Sequence, residues 1–218
     1  MTDRYTPSLD SFELTINEQT AIEEALKTSD PWGWAPGGIH SAAITSVKLK
    51  IRQYHLQRHG SKCCYCRVNL HGSGAFMTDR EHILPKSVAG YKPLTYTMWN
   101  LGIACKRCNM EYKGSKIDFI ISPSDQTKIM TSEGYQFIHP NFDLYREHLS
   151  RHAQETEDLV IVKYTIVPGS IKGQYTYTYF NLRGLEINSF DQAQGLQPSE
   201  NLSEVAIEAR SLAATYGQ

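Results

Sequence analysis

No stretch of this 218-residue chain approaches the roughly 20 consecutive apolar residues that a membrane-spanning helix needs. The N-terminus Met1-Thr2-Asp3-Arg4-Tyr5 lacks the charged-then-apolar layout of a signal peptide. No internal repeat or low-complexity tract is evident, so neither a repeat array nor a biased tail is expected. Cysteine is scarce: there are five, too few and too clustered for a disulfide framework, and their pattern suits a reducing compartment. These absences together predict a cytoplasmic protein. At 40% hydrophobic residues the chain can bury one good core, or a small stapled module with flanking lobes.

Net charge is also nearly absent, at −1, but the total conceals an asymmetry. Between Ser46 and Lys116 there are thirteen Lys and Arg against Asp79, Glu81 and Glu111, a surplus of ten that leaves the remainder with a deficit of eleven. A basic stretch inside an acidic chain suits a phosphate-binding face, because neutralising phosphates supplies most non-specific affinity for nucleic acid. Solvated helix faces would produce the same count.

The cysteines that are present form two pairs of x₂ spacing, Cys63/Cys66 and Cys105/Cys108. Four thiolates so arranged make a tetrahedral zinc set, each pair wrapping one edge of the ion from a tight turn. Cys64 falls inside the first pair and reads as a small residue without a role of its own. The zinc is then a staple, and chemistry falls to the residues it holds: Arg80-Glu81-His82 between the pairs and Asn109 just after the second. Cutting a phosphodiester takes a base for water, a cation for the departing oxygen and groups that hold the phosphate in line. Four sulfurs already fill a tetrahedron, which leaves His82 for catalysis. Glu81 and the Asn109 amide oxygen together make a sparse Mg²⁺ or Mn²⁺ site that phosphate oxygens must complete. Pro85 forces the strand to end just past His82, so neighbours that would point to opposite faces can converge. His40, His55, His59, His71, His139, His148 and His152 are assigned no role.

The expected class is α+β, in three parts: an N-terminal helical segment (1–59), a stapled ββα module (60–121) and a C-terminal α+β lobe (122–218). Thr15 or Asn17 caps a helix to Lys27 with Ala21, Ile22, Ala25 and Leu26 on one face. The Pro/Gly-rich run from Asp30 to Gly38 breaks it, and a second helix spans about Ala42 to His59. A strand is expected near Phe76–Asp79 and a helix from about Lys106. Beyond these, the pattern predicts a short helix over Asn141–Leu149, paired strands over Leu159–Val167 and Gln174–Leu182, and a last helix from Ser199 or Asn201 to about Thr215. Tyr175, Tyr177 and Tyr179 read as one face of a strand rather than a base-stacking platform.

Cys63-Cys64-Tyr65-Cys66, Asp79-Arg80-Glu81-His82-Ile83-Leu84-Pro85-Lys86-Ser87, Trp99-Asn100-Leu101 and Cys105-Lys106-Arg107-Cys108-Asn109 through Lys113-Gly114 resemble an HNH endonuclease of the zinc-stapled His-Me finger superfamily. The resemblance covers about residues 60–120. It implies a ββα-metal nuclease fold with His82 as general base, Glu81 and Asn109 as ligands of one catalytic Mg²⁺ or Mn²⁺, and Asn100 orienting the His82 loop. Cys63, Cys66, Cys105 and Cys108 become the structural zinc set, and Lys113 contacts phosphate. Lys86 and Arg80, flanking the Glu81-His82 pair, are assigned to substrate as well, and Lys106, Arg107 and Lys116 compete with Lys113 for the phosphate contact. Two positions depart from the family pattern: Glu81 stands where Asp is usual, and Lys113 follows Asn109 by four residues where three is usual.

His139-Pro140-Asn141-Phe142-Asp143 with His148 is similar to a segment that follows the nuclease module in HNH proteins of bacterial anti-phage systems, the PtuB-type nucleases of Septu and retron-linked effectors. That likeness implies DNA as substrate and a partner ATPase. Two other readings stand beside it: a zinc-stapled module that binds nucleic acid without cutting it, and an adaptor whose acidic lobes bind another protein.

Overall fold

Thr15 opens the first helix, α1 (Ile16–Leu26), through a reciprocal cap in which Glu18 N–H donates to Thr15 Oγ1 and Thr15 N–H donates to Glu18 Oε2 at 2.8 Å. Ala21 and Ala25 are buried against Ala43, Ile44, Val47 and Ile51 of α2 (Ile39–Arg58), the 3–4 spacing that aligns a helix face. The computed structural model describes residues 3–72, 74, 76–155 and 160–186, and the expected last helix lies outside them. Glu18 also receives Ser46 Oγ and Lys50 Nζ, both at 2.7 Å, so one carboxylate caps α1 and pins α2. Burial works to raise its pKa, but Lys50, Ser46 and Thr15 outweigh it and hold the carboxyl at about 2. Glu18→Gln should therefore cost about 1–2 kcal/mol at pH 7, allowing for screening. A depressed carboxyl stabilises above its unfolded pKa, so the difference from wild type should shrink as pH falls from about 4.5 towards 2, measured by urea unfolding.

The C-terminal end of α2 carries two histidines one turn apart, His55 and His59, with rings stacked 5.8 Å apart and almost no exposure. Burial and the nearby Arg58 push His55 down to about 3, and His59 falls well below its ordinary value. Histidines buried neutral stabilise above their unfolded pKa near 6.5 and are a liability below it. His55 alone should remove about 2 kcal/mol between pH 7.5 and 5, and His55→Phe should flatten that part of the stability profile.

Between these histidines, the Arg58 guanidinium is buried and fully engaged. It donates to Asn141 Oδ1 at 3.0 Å and Pro7 O at 2.6 Å, and pairs with Asp3 Oδ1 at 2.8 Å. Asn141 Nδ2 in turn donates to the Trp99 and Leu101 carbonyls at 2.9 and 2.7 Å, and Asp143 Oδ2 accepts His139 N–H at 2.7 Å. The His139–Asp143 segment is thus a keystone joining the N-terminal residues, α2 and the strand that begins at Leu101. It packs on Trp99, with Phe142 5.6 Å from that ring.

β1 (Thr78–His82) pairs antiparallel with β2 (Leu101–Cys105), Glu81 opposite Gly102 and His82 opposite Leu101. β1 lies two to three residues later than its sequence expectation, because Thr78 is held by Arg52 from α2. β2 runs straight into a helical turn of π type, Arg107–Lys113, closed by a bond from Gly114 N–H to Asn109 O at 2.8 Å. This first compact unit ends at Tyr145.

The second unit begins at Arg146. Its β3 (Leu149–Glu155) and β4 (Val160–Ile166) pair antiparallel, Leu149 opposite Ile166. The expected Asn141–Leu149 helix is only a single turn at Tyr145–Glu147, and Leu149 already belongs to β3. The expected Gln174–Leu182 strand is instead the helix α3 (Ile171–Tyr179). Ser170 caps it through Gly173 N–H, and Tyr175 and Tyr179 stack at 5.5 Å, the i,i+4 contact that a strand would forgo. The alternating tyrosines suggested a strand, but β4 has β3 as its partner, and local capping decided the rest.

Candidate metal centre and phosphodiester site

Each half of the cysteine cluster sits on a turn anchored to β2. Cys64 N–H donates to Ile103 O at 2.9 Å and Cys63 N–H to Val68 O at 2.9 Å, while Arg67 takes a positive φ of 58° to complete the first turn. Cys105 ends β2, and Cys108 N–H approaches the Cys105 sulfur at 3.5 Å. The outcome is that the sulfurs of Cys63, Cys66, Cys105 and Cys108 lie within 4.8 Å of one another, a set that can hold a zinc ion. None of the five cysteines forms a disulfide. Burial opposes ionisation of Cys63, yet hydrogen bonds from neighbouring thiols hold it well below its ordinary value while Cys66 and Cys108 are pushed up. Four sulfurs this close cannot all be thiolates without a cation, which is the condition a divalent ion meets. Cys64 is buried against β2, its sulfur 3.4 Å from where a Cβ on Gly102 would lie.

Strand alternation puts Asp79 and Glu81 on the face of β1 toward the π-type turn, and that turn meets them in order. Asn109 Nδ2 donates to Asp79 Oδ2 at 2.9 Å, and Lys113 Nζ lies 2.8 Å from Glu81 Oε1. Lys106 also pairs with Asp79, at 3.0 Å. Glu81 is 1% exposed and takes a further bond from the Tyr65 hydroxyl at 3.0 Å. Burial raises its pKa despite Lys113 and Tyr65. Its second oxygen, Oε2, is buried with no hydrogen-bond partner among the described residues, an unmet acceptor of the kind that costs free energy. Lys113 is 1% exposed and also donates to Gly114 O. The π-type bond from Gly114 N–H to Asn109 O widens the turn between these two side chains, a widening often found at functional sites.

The other face of β1 carries Arg80 and His82. His82 is 7% exposed, with Nε2 3.0 Å from Thr95 O. A carbonyl only accepts, so Nε2 holds the proton and Nδ1 the lone pair. Burial keeps the ring neutral, its pKa pushed down to about 3 against the Thr95 bond. Asn100 is fully buried and closes the loop after β1: its Oδ1 accepts Leu84 N–H at 2.7 Å, and its Nδ2 donates to Leu84 O at 3.3 Å and Leu94 O at 3.1 Å. Those bonds fix the segment that contains Thr95. Lys86 and Arg80 are exposed.

Asp79, Tyr65 and Thr95 were not singled out by sequence reasoning. The strand period pointed to Asp79, two residues before Glu81, and Tyr65 lies inside the first cysteine pair. Thr95, which acts through its carbonyl, carried no signal at all. No family model, curated protein or solved structure matches the chain. Among the described residues, no helix is long and apolar enough to cross a membrane.

Proposed function

We propose that this protein is a metal-dependent HNH-type endonuclease that hydrolyses phosphodiester bonds of DNA. The observation that carries the reading is that one short strand presents, toward the cysteine-held turn bearing Asn109, a buried Glu81 with one oxygen unpartnered among the described residues, and on its other face a tautomerically fixed His82. Zinc in the four-cysteine set is structural. A divalent Mg²⁺ or Mn²⁺ would be held by Glu81 through Oε2, unpartnered among the described residues, and by the amide oxygen of Asn109, whose Nδ2 donates to Asp79. Such an ion, when bound, offsets the charge that develops on the departing 3′ oxygen. His82 Nδ1 takes the proton of the attacking water, Thr95 O and Asn100 hold the ring and its loop in place, and the product end keeps a 5′ phosphate. Arg80 and Lys86 hold phosphate. Lys113 neutralises Glu81 from within the protein.

Anti-phage defence with a partner ATPase in a bacterial cytoplasm is the setting that the sequence resemblance supports. The test is plasmid nicking in Mg²⁺ and in Mn²⁺ by wild type and His82→Ala at matched zinc content. Metal-dependent nicking by wild type alone supports the reading, and equal cleavage by both rejects it.

A further inference from the structure

Trp32 stands on the loop between α1 and α2, outside the stretch that resembles a nuclease. The loop is anchored where Tyr96 donates to Pro31 O at 2.8 Å, and the Tyr96 ring backs the indole at 5.4 Å. The His82 ring meets the indole edge-on at 4.6 Å. Two cations also stand over it, the Lys48 ammonium at 5.4 Å and the Arg80 guanidinium at 5.5 Å. Arg80 donates to Lys48 O at 3.3 Å, which fixes the two together. Among the described residues neither Lys48, Arg80 nor Lys86 forms an ion pair within 4.0 Å. The carboxylates whose field they feel are Asp30, exposed and turned to Gly33 N–H at 3.0 Å, for Lys48 and Lys86, and Asp79 for Arg80. Burial and then Arg80 push the Lys48 ammonium down, Lys86 adds to this, and Asp30 opposes it. Burial and then Arg52 do the same to Arg80. Like charges gathered without counter-ions around a half-buried indole favour an anion that carries a flat ring.

Resting on the nuclease reading, we propose that Trp32, Lys48, Arg80 and Lys86 form a subsite for single-stranded nucleic acid beside His82. A backbone phosphate draws the cations, and an unpaired base stacks on the indole they leave. A paired base has no free face to offer, so the subsite discriminates against intact duplex. Trp34, on the same loop, has the His40 ring at 6.1 Å and, among the described residues, no cation over its own ring, so it serves as the control.

The test is fluorescence anisotropy of a labelled 12-mer as single-stranded DNA, single-stranded RNA and duplex DNA, in divalent-free buffer so that nothing is cut. Trp32→Leu should weaken single-strand binding at least fivefold while changing duplex binding less than twofold, Trp32→Tyr should restore most of the loss, and Trp34→Leu should match wild type. Lys48→Gln should lower the salt slope on single strands by about 0.7. The DNA and RNA arms identify which strand is taken. Zinc content and melting of each variant confirm that it is folded. Unchanged single-strand affinity in Trp32→Leu, equal loss on duplex, or no rescue by Tyr overturns the subsite. Strand binding that follows this pattern without nicking under any metal would sink the nuclease reading and leave the subsite; metal-dependent nicking with no effect of Trp32 would do the reverse.

Discussion

Cys108→Ser is expected to purify without zinc and to melt at least about 10 °C below wild type, if it stays soluble at all. Structural zinc contributes on the order of 10 kcal/mol to the small modules it organises, and each kcal/mol is about 2–4 °C in a chain of this size. The effect should be large here because the cluster ties together three segments, the first cysteine turn, β2 and the turn that follows it. Cys63 and Cys66 fix the first turn to β2 through Cys64 N–H, Cys105 terminates β2, and Cys108 opens the turn that carries Asn109. Losing the ion therefore releases the geometry of Asn109 and Lys113 toward Asp79 and Glu81 along with the fold. Cys64→Ala, by contrast, leaves the cluster intact and should retain zinc. Metal content and a thermal melt on the two variants decide this. Full zinc occupancy and an unchanged melt in Cys108→Ser would contradict the staple.

His82→Ala is expected to cut cleavage by about 10²–10⁴, the range that a positioned general base supplies. The imidazole is suited to that task for a geometric reason. Its Nε2 proton is committed to Thr95 O, so Nδ1 is the acceptor, and that carbonyl is held by a loop whose ends Asn100 ties together. Asn100→Ala should accordingly lower the rate without removing the base, at a cost to stability as well, because Leu84 N–H loses its acceptor. If cleavage were the same in His82→Ala, His82 would not be the base and the buried Glu81–Lys113 pair would be a structural ion pair.

Much of this centre was legible in the sequence because it rests on spacing. Two x₂ cysteine pairs specify a tetrahedral set wherever the fold brings their turns, and the set is formed. The first two helices were legible for a similar reason: capping at Thr15 and the 3–4 spacing of Ala21, Ala25, Val47 and Ile51 are local rules. What escaped was decided by long-range contacts. The Arg58–Asn141 keystone joins residues 83 apart, and neither type announces burial on its own. Asn109 meets Asp79 and Glu81 meets Lys113, an order that the π-type turn sets across to β1. In the second unit, the tyrosines of α3 alternate like a strand, and only the Ser170 cap spoke for a helix.

If Glu81 and Asn109 share one divalent cation, as proposed, Mn²⁺ in that place reports it. The most direct measurement is a Mn²⁺ titration of the zinc-loaded protein followed by electron paramagnetic resonance, on wild type, Glu81→Gln and Asn109→Ala. The account predicts one Mn²⁺ bound by wild type and that site lost or weakened at least tenfold in both variants, with zinc retained. Equal Mn²⁺ binding by all three proteins, or none by wild type at millimolar concentration, would contradict it.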